Sequence, residues 1–314
     1  MPFDAYAWLL ADPETSVGTA PLADVPCLAE LPRLIRLKYV TDVNRWTALE
    51  AVGTAHLPDL AGSARGETWA DFLAGYGISD VASAVFRDRY GCWGWLDLWR
   101  SSGSGTFDSA EVAFLTDIVE RVTSAIRQCQ ANTFVVRESG TPRPPGPAVL
   151  VLSPDLDVTR VTPQSQEYLR VLVPPAQGQS PVPANAYNVA AQLLAVETGA
   201  DQNRAVARVH LADGLWVTLR AARLAAAELV GQPEIAVTIE ESSPADRVNL
   251  FARSFGLSLR ETELLGHLVT GADTRELARR MFLAENTIQD HLKGIFAKTS
   301  AHSRQVVVAR TLGS

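Results

Sequence analysis

The spacing of hydrophobic positions changes several times along the chain, and each change marks an element or a boundary. Phe3 to Ala11 is an apolar run with aromatic entries, ended by the turn signal Asp12-Pro13-Glu14-Thr15. Leu28 to Trp46 has helical character. Val81–Arg87 and Cys92–Arg100 read as strands joined through Asp88-Arg89-Tyr90-Gly91, which predicts a hairpin. Asp108-Ser-Ala-Glu111 is a helix-capping pattern that opens a long helix reaching about Gln130. On that helix Val112, Leu115, Val119, Val122, Ile126 and Cys129 recur at 3-4-3-4-3 spacing. Such a seam serves either pairing between subunits or packing against the domain's own sheet.

Glu138 to Pro147 is rich in Pro and Gly and reads as a linker. Beyond it Ala148–Leu152 is a buried-strand run, Asp155-Leu-Asp157 a turn and Val158–Thr162 a second strand. Helices are expected over Gln164–Val173 and Asn185–Glu197, with a proline-rich loop between them. Arg204–Leu211 and Leu215–Leu224 flank Asp213-Gly214, a strong hairpin signal, and Glu234–Glu240 predicts a last strand.

After residue 255 the period becomes helical and stays so. Ser258-Leu-Arg-Glu261 is a capping box, followed by Leu259, Thr262, Leu265, Leu268 and Val269, with Gly271 as the left-handed stop. Asp273-Thr-Arg-Glu276 repeats the capping pattern and opens a helix with Leu277, Ala278 and Met281 on its apolar face. Asn286-Thr287 begins a third helix carrying Ile288, Leu292 and Ile295, and Ser303 a fourth with Val306, Val307 and Leu312. Two short helices a few residues apart, the second more polar, make a helix-turn-helix over Thr274–Lys293. The same capped helices also suit a small bundle that binds nothing.

Charge sharpens that choice. From Asp246 onward ten Lys and Arg stand against seven Asp and Glu, a net of +3, while the whole chain carries −7 and residues 1–245 therefore −10. A basic end on an acidic body suits contact with nucleic acid. Cys27, Cys92 and Cys129 are too scattered for a disulfide framework or a zinc site, which makes cytoplasmic residence the expectation. No leader pattern opens the chain and no apolar run reaches transmembrane length, so no membrane partner is expected.

The last segment resembles the C-terminal DNA-binding module of the LuxR family of bacterial transcription regulators. Leu257-Ser258, Arg260-Glu261, Glu263-Leu264-Leu265, Gly271, Glu276-Leu277-Ala278, Thr287-Ile288, His291, Ile295, Lys298 and Ser303-Arg304 carry that resemblance in order. It departs from the family at Ala284, where a capping serine is usual, a loss of roughly 1 kcal/mol. Gln289 replaces a frequent lysine, Asp290 sets a carboxylate near the groove, and Thr299-Ser300-Ala301 replaces Leu-Gly-Val. The resemblance implies double-stranded DNA, RNA polymerase and a second copy of the chain as partners. Arg275, Lys293, Lys298, Thr274 and Thr287 are the candidates for phosphate contacts, and Asn286, Gln289 and Asp290 for base edges. The last helix is the expected contact within a DNA-bound pair.

Residues 1–135 resemble a GAF domain through the opening strand with Asp12-Pro13, the Gly91-Cys92-Trp93-Gly94 strand and Phe107-Asp108. Residues 148–243 follow the element order of a PAS-like domain. Joined by a linker at 136–147 to a helix-turn-helix domain at 244–314, they resemble multidomain regulators of actinobacteria. The expected fold is a multidomain α/β (α+β) sensor body followed by an all-α four-helix domain. Trp46, Trp69, Phe72, Tyr76, Trp93 and Trp95 crowd the first segment and either line a pocket for a small-molecule effector or fill an ordinary core. Trp93, Trp95, Asp97 and Trp99 share one face of their strand. His210 and Trp216 lie on the second hairpin without a ligand set for haem or flavin. No adjacent acidic pair of a receiver domain, no P-loop, no H-E-x-x-H and no G-x-S-x-G occurs, so neither an enzyme, a cofactor nor a metal is expected.

Overall fold

The structure, a computed structural model, describes residues 1–60, 68–135, 146–172, 183–212, 215–224 and 233–313. The chain divides into two compact units. The first takes residues 1–123, 144–209 and 218–240, and the second residues 124–143, 210–217 and 241–314. The expected linker at 136–147 and the turn Asp213-Gly214 lie almost wholly outside the described residues.

Two five-stranded sheets, antiparallel wherever the pairing is resolved, organise the body. The first is built from β1 (Ala5–Ala11), β2 (Gly18–Asp24), β3 (Gly53–His56), β4 (Ile78–Asp88) and β5 (Gly91–Ser101), in the order β2-β1-β5-β4-β3. The second contains β6 (Ala148–Leu152), β7 (Val158–Val161), β8 (Val206–Ala212), β9 (Leu215–Arg223) and β10 (Ile235–Glu241), in the order β7-β6-β10-β9-β8. Counted from its own first strand, each sheet has the same order. The β4–β5 hairpin turns where expected because Gly91 has a positive φ, and a Cβ there would sit 2.2 Å from the Pro13 carbonyl oxygen.

The two faces of the first sheet are covered differently. On one, Ala82 and Leu98 pack with Phe107 and Leu115, flanked by Tyr6, Leu96 and Ile118. This is the face taken by α3 (Ser109–Asn132), whose start is capped reciprocally: Glu111 N–H donates to Asp108 Oδ1 at 2.9 Å and Asp108 N–H to Glu111 Oε2 at 3.1 Å. Of the α3 seam, Leu115 is buried against the sheet, Val112, Val119, Val122 and Ile126 are half-buried, and Cys129 is exposed. The opposite face carries Trp93, Trp95, Asp97 and Trp99, all buried, under α1 (Leu31–Val40) and α2 (Trp69–Ala74).

The turn after β1 holds the strongest polar knot of the first unit. Asp12 is fully buried and accepts from the N–H groups of Glu14 and Thr15 at 2.9 and 3.1 Å. It also accepts from Arg208 of β8, through the backbone N–H at 2.8 Å, Nε at 2.7 Å and Nη2 at 2.6 Å. Burial alone would raise the Asp12 carboxyl, but the Arg208 charge and these bonds hold it below the usual carboxylate range. What reads in sequence as a turn signal is thus the point that ties the first sheet to the second. The helices of the second sheet segment are α4 (Pro163–Leu172) and α5 (Ala184–Glu197).

In the second unit α6 (Pro244–Ser254) precedes the four helices expected from the periodicity: α7 (Leu259–Leu268), α8 (Thr274–Met281), α9 (Glu285–Thr299) and α10 (Arg304–Leu312). Leu250, Phe251, Leu264, Leu265, Leu277, Met281, Ile288, Leu292, Ile295 and Val307 form one apolar core. Phe134, in the turn just after α3, and Trp216, on β9, belong to that same core. Their rings stack at 5.3 Å and 14°, and Phe134 meets Phe251 edge-on at 5.3 Å. The module's aromatic corner is therefore completed by residues far earlier in the chain.

Candidate nucleic-acid interface

Local chemistry places the two helices of the motif. Asp273 caps α8 by accepting the Glu276 N–H at 2.8 Å. The capping is one-sided, because the Glu276 carboxylate receives Arg280 instead of reaching back. Helix α8 stops at Phe282, which is left-handed at φ 55° and 94% exposed, a conformation that a bulky side chain disfavours. Leu283 then folds back, its N–H donating to the Ala278 carbonyl at 2.9 Å. Ala284 occupies the N-cap of α9 in the extended backbone a capping serine would use, and no side chain caps that helix.

With Leu277 and Met281 of α8 and Ile288, Leu292 and Ile295 of α9 buried, the polar residues are forced outward. Arg275, Asn286, Thr287, Gln289, Asp290, Lys293 and Lys298 are exposed, and Thr274 is half-buried. They form two groups. At the start of α8, the Thr274 hydroxyl accepts from Arg304 Nη2 at 2.6 Å and lies 3.5 Å from Gln289 Nε2. Arg275 lies 3.9 Å from Glu285, and Lys293 pairs with Asp290 at 3.0 Å, so the acid at 290 is already matched by a cation. Arg304 is a member of this group that the spacing of helix faces alone does not reveal. It stands in the matched Ser303-Arg304 motif, which was its one sequence signal.

Lys298 is set apart from the others. Its Nζ lies 2.5 Å from Glu261 Oε2, a carboxylate only 6% exposed. Glu261 also accepts the Ser258 N–H at 2.6 Å as half of the α7 capping box. Burial works to raise the Glu261 carboxyl, but Lys298 and Ser258 outweigh it and hold it below the usual glutamate range.

The aromatic candidates of the body face inward. Trp46, Trp69, Phe72, Trp93 and Trp95 are each at most 3% exposed, and Tyr76 is half-buried with its hydroxyl on Glu30. Two of them, Trp46 and Trp69, flank a buried ion pair. Lys38 Nζ lies 3.0 Å from Asp97 Oδ2 and 3.9 Å above the Trp69 ring, and Trp46 Nε1 donates to the same oxygen at 3.0 Å. Burial pushes the Lys38 ammonium below its usual value, against the pull of Asp97. Asp97 Oδ1, Ser83 Oγ and the indole N–H groups of Trp69, Trp95 and Trp99 are buried without a hydrogen-bond partner. Burial likewise raises the thiols of Cys27 and Cys92 to about 11, whereas Cys129 is the exposed thiol, contrary to the packing role its seam position suggests.

Residues 256–311 match the family of bacterial regulatory proteins of the luxR family. Over 53 residues the chain is 40% identical to the CsgBAC operon transcriptional regulatory protein of Escherichia coli K12, a span covering 17% of this chain and 24% of that one. Over 60 residues it is 38% identical to the Probable HTH-type transcriptional regulator GfsR of Streptomyces halstedii, covering 19% and 25%. Over 55 residues it is 36% identical to the Monoamine regulon transcriptional regulator of Klebsiella aerogenes, covering 18% and 24%. The chain thus spans about a quarter of the length of these curated relatives. A chain of the crystal structure of the E. coli DhaR(N)-DhaL complex aligns over 76% of this chain and 80% of its own at 12% identity, with a TM-score of 0.24, too loose to bear on the fold. No helix among the described residues is long and apolar enough to cross a membrane. The capped helices, their outward polar residues and the matched motif agree: residues 256–311 form a helix-turn-helix module similar to the luxR family of bacterial regulatory proteins.

Proposed function

We propose that the protein is a transcription regulator that binds duplex DNA sequence-specifically through α8 and α9, under the control of its N-terminal body. The observation that carries this is the exposed polar surface of α9 beside the capped start of α8, within a domain that matches LuxR-type regulators. Arg275, Lys293, Thr274, Thr287 and Arg304 are assigned to the phosphate backbone, and Asn286 and Gln289 to base edges. Asp290 accepts from a cytosine amino group when Lys293 turns to phosphate. One such module covers a half-site, so DNA binding is by a homodimer, and regulation proceeds through RNA polymerase. The body, read as GAF-like and then PAS-like, senses a small molecule at the tryptophan-lined Lys38–Asp97 cluster. Support comes from its unpartnered buried polar atoms, which a bound ligand would satisfy.

The test is a fluorescence-anisotropy titration of the full chain against a random duplex pool at two salt concentrations, with the retained sequences recovered. Binding that weakens steeply with salt and enriches a few palindromes is the expected result. Absence of salt-sensitive binding would overturn the reading and favour a helical tail that binds protein instead.

A further inference from the structure

The turn between α8 and α9 carries a large apolar side chain that contributes almost nothing to packing. Phe282 is 94% exposed, whereas the residues on either side of it point inward: Met281 is buried in the module's core and Leu283 packs against that core. The backbone at Phe282 is left-handed, with φ 55° and ψ 43°, a conformation that glycine or asparagine adopts at lower cost. The fold requires this conformation. The Phe282 N–H donates to the Ala278 carbonyl, and the Leu283 N–H donates to the same oxygen at 2.9 Å, which closes α8. Nothing within the module requires the ring. Single exposed hydrophobic residues are ordinary on any surface. A bare phenyl ring held in a disfavoured conformation is instead a backbone outlier of the kind that gathers at functional positions.

The surroundings of the ring indicate what covers it. Two residues later Ala284 is the N-cap of α9, followed closely by Asn286 and Thr287. The start of the second helix of such a motif is the part that meets base edges in the major groove. Arg275 and Arg279 stand seven and three residues before Phe282, a spacing that sets all three along one side of α8 and its end. Their side chains are 89% and 77% exposed, and their contacts with Glu285 and Glu276 are loose, at 3.9 Å each. Exposed pairs of this kind hold a cation weakly. A flat ring ending a row of mobile cations suits a partner that alternates anionic groups with apolar carbon, as duplex DNA does. A greasy protein pocket would have no use for the cations.

We propose that Phe282 is a DNA contact, its ring laid against apolar carbon at the edge of the duplex beside the bases assigned to Asn286 and Gln289. That carbon has two sources, the C5-methyl of a thymine at the groove wall and the deoxyribose of the adjoining backbone. The proposal rests on the reading of α8 and α9 as the DNA-binding surface.

The test is fluorescence anisotropy of the full chain on the duplexes recovered from the random pool, at two salt concentrations. Phe282→Gly should weaken binding about fivefold, the scale of covering half of an aromatic side chain. The factor should be the same at both salt concentrations, because no phosphate contact is lost. Its melting temperature should be no lower than that of the unaltered chain, since glycine accepts the left-handed turn without strain. Phe282→Asn should weaken binding similarly, and it decides the matter if Phe282→Gly melts lower. Phe282→Tyr should keep most of the affinity, and Leu22→Ser, at an exposed position of β2, should change nothing. Replacing the thymines with deoxyuridine, which lacks the methyl, separates the two sources. A loss in the unaltered chain that Phe282→Gly does not share assigns the ring to a thymine methyl, and an equal response of the two assigns it to deoxyribose. Unchanged affinity in Phe282→Gly and Phe282→Asn, or a loss confined to the lower salt, would overturn the proposal and leave the ring to a protein partner. Absence of duplex binding by the unaltered chain would overturn the DNA-binding reading and this contact with it, a result distinct from duplex binding that ignores residue 282.

Discussion

The first sheet and the helix-turn-helix module dispose of their polar groups in opposite directions. The module buries Leu264, Leu265, Leu277, Ile288, Leu292, Ile295 and Val307 and turns Asn286, Gln289 and Lys293 outward. The sheet buries Lys38, Ser83 and Asp97 among tryptophans and ties Asp12 to Arg208 in the interior. A buried pair stabilises little against water, but breaking one is severe, because the remaining charge has no solvent. Outward polar groups carry little stability and are free to recognise a partner. The module is thus tolerant where its candidate interface lies, and the body is intolerant where its candidate site lies.

The sharpest test of that contrast is Asp12→Ala. It removes the fully buried acceptor of three Arg208 bonds, keeps the Glu14 carboxylate 2.7 Å from that guanidinium, and should destabilise the first unit by about 3 kcal/mol or more in urea unfolding. A loss under about 1 kcal/mol, the scale of an exposed pair, would break the comparison. Phe134→Ala asks whether the turn just after α3 is truly part of the module's core. Removing this buried ring should lower the stability of the second unit by about 3 kcal/mol, read as faster amide exchange in α6.

Glu261 is the module's exception, a buried acid. Because its carboxyl is held below the usual glutamate range, its contribution is complete above about pH 5 and is lost as the pH falls further through the folded value. Glu261→Gln should remove about 1–2 kcal/mol at pH 7 and flatten the acid limb of a stability–pH curve. Ala284→Ser works in the other direction. A serine in the extended N-cap of α9 should raise stability by about 1 kcal/mol, seen as a higher melting temperature. Gln289→Ala is the smallest in stability, within about 0.5 kcal/mol. In duplex titrations it should relax preference at one base step, whereas Thr287→Ala should weaken all sequences alike.

Legibility followed the same division. The helices of the module were readable because Ser258, Asp273 and Ser303 are local caps and the core residues repeat at helical spacing. The strands Ala148–Leu152 and Cys92–Arg100 were readable from apolar runs between turn residues. Strand β2 was not: Gly18–Asp24 contains Pro21 and lacks alternation, and its place comes from pairing with β1. Helix α2 is six residues long, too short for a period to emerge. The tryptophan face was legible from alternation, but its partner Lys38 was not, since a lysine in a helix reads as exposed.

Caps, turns and periodicity act within a few residues, so the sequence by itself determined the helix-turn-helix, its outward residues and the alternating order of elements before it. Long-range juxtaposition has no local signature, because its free energy exists only once distant segments meet. Tertiary structure alone decided that Arg208 closes on Asp12, that Lys38 sits on Asp97 beneath Trp69, and that Arg304 reaches Thr274. It also decided that Phe134 and Trp216 finish the core of a module whose helices begin about a hundred and ten residues, and about thirty residues, after them, respectively.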